Sequence, residues 1–166
     1  MSAGDPAGDE SALREEIAAF LDSQHVVSLA TVVEGAAHAA CVMYALEGLS
    51  LYWTSDPGSR HSLAIERNSR VAATVAPDYG DFRAIRGLQI AGSARRLDAA
   101  AEAAHAGDLL RERFPFLRDL DRIPATLRGA IDRAAYYRLD PNSITLVDNT
   151  RGFGNKRTLQ IAWPGV

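Results

Sequence analysis

The order of apolar and polar positions divides the chain into an opening helix, a run of strands, and a mixed second half. From Ser11 to Ser23, Leu13, Ile17, Phe20 and Leu21 recur at helical spacing with Ser11 placed to cap the start, which predicts an amphipathic helix. Residues 25–33 (HVVSLATVV) are β-branched and almost wholly apolar, EGA (34–36) is a turn, and AHAACVMYAL (37–46) reads as a second buried strand. EG (47–48) turns into LSLYWTS (49–55), so the three strands are expected to pair in succession as an antiparallel meander. After DPG, Ser59 caps a short helix that runs to Arg67 and ends at Asn68, and RVAATVAP (70–77) resumes the sheet. DYGDFRA is a polar surface loop. Residues 85–97 (IRGLQIAGSARRL) form a long strand in which Gly87 and Gly92 mark bulges or bends.

The second half opens with an alanine-rich helix from Asp98, its predicted cap, to Arg113. Pro115 and Pro124 break the following stretch into short helical pieces. AAYYRLDP and NSITLVDNT are predicted as two strands around a Pro-Asn turn, RGFGNKR as a glycine-bearing basic loop, and TLQIAW as a last short strand. Residues 1–10 are expected to form a disordered tail and 11–166 a single domain.

Composition narrows the function classes. The 18 basic and 21 acidic residues are interspersed, and the net charge of −3 with no basic tract argues against nucleic acid as a partner. No apolar run is long enough to span a bilayer, and the acidic N-terminus does not read as a signal peptide, so a soluble cytoplasmic protein is expected. The single cysteine, Cys41, excludes an internal disulfide framework and reads as buried packing in its apolar strand. His25, His38, His61 and His105 are too dispersed for a metal-ligand motif, so no metal is expected.

Two segments carry candidate chemistry. In WTSDPGSRHSL (53–63) a strand gives way to a helix start, where unpaired N–H groups and the positive end of the dipole favour an anion. Thr54, Ser55 and Ser59 add hydroxyls there, Arg60 a planar fork of donors, and His61 a donor of tunable charge. In DNTRGFGNKR (148–157), Phe153 between two glycines can cover a flat ligand, and Lys156 or Arg157 can meet its charge. No serine-nucleophile elbow, phosphate-binding loop or dinucleotide fingerprint is present.

The ordered set HVVSLATV, AHAACVMYA, LYWTSDPGSRHSLAIERNSRVAATV, IRGLQIAGSARRL and YYRLDPNSITLVDNTRGFGNK resembles the flavin-binding split barrels of the pyridoxamine-phosphate-oxidase-like superfamily. RGLQIAGSARRL and DNTRGFGNK are most similar to a small bacterial branch without assigned substrate. The resemblance implies a mainly β fold with peripheral helices, a six-stranded antiparallel split β-barrel, and a homodimer with FMN in clefts at the subunit interface. By position it implies that Cys41, Val42 and Met43 lie along the flavin ring, that Trp53, Thr54 and Ser55 approach the ribityl chain and phosphate, and that Arg60 and His61 grip the phosphate. Gln89 matches a polar residue on the strand after the loop. The usual family pair is Arg-Lys, and this chain has Arg-His. The implied activity is an FMN-dependent oxidoreductase in which NAD(P)H reduces a small organic acceptor, with Tyr44 or Tyr79 as candidate acids. The basic motif of a true pyridoxamine-phosphate oxidase is not recognisable near the C-terminus. The same architecture hosts deazaflavin F420 reductases and haem binders, so the alternatives are an F420-dependent reductase or a non-enzymatic flavin or haem binding and storage protein, and a haem would need His25, His38 or His105 as axial ligand.

Overall fold

Among the described residues of the computed structural model, 6–119 and 124–162, eight strands form one antiparallel sheet. They are β1 (Val26–Val33), β2 (Ala36–Met43), β3 (Ala45–Glu47), β4 (Ser50–Ser55), β5 (Arg70–Val75), β6 (Arg86–Arg96), β7 (Ala135–Asp148) and β8 (Lys156–Gln160). The order is β2-β1-β5-β6-β7-β4-β3, with β8 paired to the far half of β7. The edge strands β2 and β3 are joined through Tyr44 alone, so the sheet has to curl until its edges approach, which gives a split β-barrel. Six strands make the body, as the resemblance implies, and the short β3 and β8 are additions.

Strand alternation decides what the curl encloses. β1 turns Val27, Leu29 and Thr31 inward and Ser28 and Ala30 outward, and β5 turns Val71, Ala73 and Val75 inward. Val27, Leu29, Val71, Ala73 and Val75 meet Trp53, Tyr137, Leu139 and Leu146 in one core, closed from one side by Leu13, Ile17, Phe20 and Leu21 of α1 (Pro6–Ser23). The short α2 (Arg60–Arg67) follows β4, α3 (Ala100–Arg113) packs on β3, β4 and β7, and α4 (Ala125–Arg133) precedes β7.

Several expectations need correction. The helix α1 begins at Pro6, so residues 6–10 are helical and Ser11 lies inside it; residues 1–5 fall outside the described residues. The meander breaks after its first hairpin: β4 pairs with β3 and β7, not with β2, because curling carries β3 to the opposite edge. AAYYRLDP and NSITLVDNT are one strand. Pro141 pairs with Gly92 and Ser143 with Ala91, which leaves Asn142 as the extra residue of a β-bulge, a place where a strand tolerates a proline. Gly92 is required there, since a Cβ would run into the Asp140 carbonyl oxygen and Pro141 Cα. Asp98 does not cap α3; its carboxylate pairs with Arg96 at 3.3 Å, and the cap position is Ala99. β2 is an edge strand with most of its residues exposed, so Cys41 is an exposed thiol and not buried packing. Of TLQIAW, residues 158–160 lie in β8 and Trp163 is outside the described residues.

Candidate functional site

The split in the barrel is where the chain presents unpaired backbone. β3 covers β4 only over Ser50–Tyr52, which leaves that edge of Trp53, Thr54 and Ser55 without a strand. β2 faces this gap in contact with β4 but without a ladder. The Tyr44 N–H donates to the His25 carbonyl at 3.2 Å, and by two-residue alternation the N–H groups of Cys41 and Met43 point away from β1 toward the open edge. The Cys41 and Met43 side chains are exposed, whereas Val42 turns into the core.

The seam ends at the start of α2. Asp56 holds the turn, its carboxylate accepting from the Gly58 N–H at 2.7 Å and its carbonyl from the Ser59 N–H at 3.0 Å. Ser59 then caps the helix through the Ser62 N–H. Ser55 Oγ lies 2.7 Å and Ser59 Oγ 3.2 Å from His61 Nε2, so two hydroxyls and an imidazole converge. Thr54 spends its hydroxyl on the Ala135 carbonyl, at 3.1 Å. No hydrogen bond or ion pair among the described residues engages the exposed Arg60 guanidinium, an uncommitted cation at a helix N-terminus.

His38 completes this end of the seam. Its ring stacks on His61 at 6.5 Å and 10° between planes, bridging β2 to α2. Burial, and after it the charge of His38, holds His61 below its usual pKa. Along the chain His38 is one of several dispersed histidines and a candidate haem ligand; what joins it to this site is its place opposite Thr31, a buried position of β1. Beyond the pair, between α2 and the β1–β2 hairpin, opens a cleft of about 280 Å³ floored by Val33, Ala36, Leu63 and Ala64, with Arg60 and Arg67 on its rim.

The other anticipated residues stand apart. Trp53 is buried against Tyr137, rings stacked at 5.6 Å, and reaches the seam only by its backbone. Gln89 lies on the outer sheet face, reached from Cys41 across Ser28 and Thr74, three strand spacings or about 14 Å away. Phe153, 84% exposed, sets its edge on Phe82 at 5.8 Å beyond the far end of β7, and Lys156 begins β8 nearby. Tyr44 is no acid: buried, it donates to the Leu21 carbonyl at 2.6 Å, and desolvation pushes its phenol up to about 12.

A curled antiparallel sheet, split along one side with a helix N-terminus closing the split, defines a split-barrel protein organised around that cleft. The chain belongs to the pyridoxamine 5'-phosphate oxidase family, whose sequence model matches residues 13–147. The UPF0306 protein YhbP of Escherichia coli O157:H7 is 30% identical over 142 residues, 84% of this chain and 88% of that protein. The fold is similar to that of a heme binding protein from Mycobacterium smegmatis, at a TM-score of 0.70 and 22% identity. That match covers 89% of this chain, which spans 57% of the length of the mycobacterial protein. An FAD-binding protein from Mesorhizobium loti is similar at a TM-score of 0.60 and 20% identity, over 78% of this chain and 90% of that one. No helix among the described residues is long and apolar enough to cross a membrane.

Proposed function

We propose that the seam holds a flavin, its phosphate at the start of α2, and that the protein is an oxidoreductase using NAD(P)H to reduce a small organic acceptor. The observation that carries this reading is Arg60, the first residue of α2, whose guanidinium has no partner among the described residues and which stands at the first N–H groups of the helix, next in sequence to the Ser55–His61–Ser59 cluster. Donors without acceptors at a helix start form an anion seat, and a phosphate oxygen supplies the missing acceptors. The outward N–H groups of Cys41 and Met43 suit the polar rim of a flat ring and would stabilise negative charge developing there. When bound, the flavin supplies the hydride chemistry, which is why no self-sufficient catalytic set of side chains is needed. The haem reading draws less support: His25 lies against Phe114, His105 is 2.9 Å from Glu47 Oε1, and His38 is stacked on His61.

The absorption spectrum of purified protein, with the released cofactor identified by mass, tests the assignment. Flavin bands bleached by NADPH are expected; a Soret band, or colourless protein that refuses added FMN and FAD, would sink it.

A homodimer belongs to the same reading. The outer face of β2, β1, β5 and β6 exposes Met43, Val26, Ala30, Ala72 and Ala91 on adjacent strands, with Ser28, Thr74 and Gln89 between them. Gln89, Phe153 and Lys156 are too far from their own seam and would serve the partner's. Ala72→Arg in the middle of that face is expected to halve the mass measured by light scattering and to weaken FMN binding. An unchanged dimer mass would move the interface elsewhere.

A further inference from the structure

We propose that the cleft between α2 and the β1–β2 hairpin receives the adenylate half of FAD, so that the preferred cofactor is the dinucleotide and not FMN. This rests on the flavin reading and extends it past the first phosphate.

The argument begins with the spacing along α2. Arg60, Leu63, Ala64 and Arg67 stand at i, i+3, i+4 and i+7, one stripe of the helix, and all four line the cleft. Such a stripe ordinarily faces a core. Here the core takes Ser62, Ile65 and the inner side of Ala64, while Leu63 stays 47% exposed above the cleft. An exposed leucine flanked by Val33 and Ala36 is an apolar floor without a cover.

The rim is cationic. Arg60 has no partner among the described residues, and Arg67 meets only Glu34, at 3.9 Å with both side chains largely exposed, a pair that contributes little. An apolar floor with cations at both ends suits an aromatic ring carrying phosphate. The two arginines are seven residues apart on the helix, a rise of about 10 Å, which leaves room for a nucleoside between them. Arg60 belongs both to the phosphate seat and to this rim, so a second phosphate following the first would reach it as the chain leaves the seam. Adenine then lies on Leu63 and Ala64, where the planar Arg67 guanidinium can stack on it. The volume of about 280 Å³ is nucleoside-sized. The polar oligoglutamate tail of F420 would match the cations but leave the floor uncovered.

Flavin-stripped full-length protein is titrated with riboflavin, FMN, FAD and F420, reading flavin fluorescence and heat. FAD is expected to bind about tenfold tighter than FMN. Leu63→Gln and Arg67→Ala, both at exposed positions, should bring FAD to within roughly twofold of FMN while leaving FMN affinity and circular dichroism unchanged. Equal affinity of FMN and FAD for the native chain, or an equal loss of both in Leu63→Gln, overturns the adenylate site and leaves the flavin reading standing. F420 outbinding FAD, with Leu63→Gln without effect on it, overturns it in favour of the deazaflavin. Failure of riboflavin, FMN and FAD alike overturns the flavin reading and this inference together.

Discussion

Replacing Arg60 with alanine is expected to weaken FMN binding about thirtyfold and to leave riboflavin, which lacks the phosphate, within roughly twofold of its original affinity. The estimate follows from removing a charge-assisted hydrogen bond, which contributes about 1.5–3 kcal/mol. The guanidinium is exposed and unpaired, so its loss costs the fold nothing through broken contacts. Equal losses for both ligands would mean that Arg60 meets the ring or the ribityl chain and not the phosphate.

His61 sets the pH dependence of the same seat. Its pKa lies below the ordinary 6.5, first through burial and then through the nearby His38, so near neutrality the ring is uncharged. In the ligand-free protein the unfolded chain takes up this proton at a higher pH than the folded chain does. His61 therefore withdraws stability as pH falls through about 6.5. A phosphate dianion beside the ring reverses the shift. FMN binding is then accompanied by proton uptake, visible as a buffer-dependent heat, and riboflavin binding is not. His61→Gln should abolish the uptake while keeping a donor at the site.

Arg113→Ala is expected to destabilise the fold by about 3 kcal/mol, lowering Tm by roughly 6–12 °C. The side chain, 14% exposed, runs from the end of α3 to the C-terminus of α1. It donates to the carbonyls of Asp22 at 2.7 Å and Gln24 at 2.6 Å, and to the Asp22 carboxylate at 2.8 Å. The guanidinium also lies 5.6 Å from the centre of the Tyr44 ring. α1 has no basic residue in its own last turn, so Arg113 supplies both the missing donors and the charge that the helix dipole favours. Because Tyr44 links β2 to β3 at the top of the seam, loosening this clamp should also raise the exchange of seam amides. Thermal denaturation of Arg113→Ala beside Arg113→Lys checks the account: lysine keeps the charge but not the fork, and should recover only part of the loss. A Tm unchanged by alanine would show that the clamp contributes nothing.

Much of this was legible along the chain. Ser59 and Asn68 bound α2 as cap chemistry requires, and the stretch from Asp56 to His61 read as a candidate anion seat from its own residues. Gly92 signalled the bulge. The failures share a cause, since in each a local signal was overruled by distant partners. Pro141-Asn142 carries the residues of a turn, yet the ladder to β6 continues on both sides of it and absorbs the extra residue. Cys41 sits among apolar neighbours and looked buried, but alternation turns it outward on an edge strand that pairs only with β1 among the described residues.

By itself the sequence determined most of the strands and helices, the apolar face of β1, β5 and α2, and a candidate anion seat after β4. Those are consequences of periodicity and capping, which act over a few residues. Tertiary structure alone decided that β2 and β4, only one short strand apart in sequence, confront each other across a gap and do not pair. It likewise placed His38 on His61 and set the exposed stripe of α2 against the β1–β2 hairpin. The physical reason is closure: curling the sheet brings its two edges together, and which backbone groups remain unpaired there depends on the register of all the strands at once.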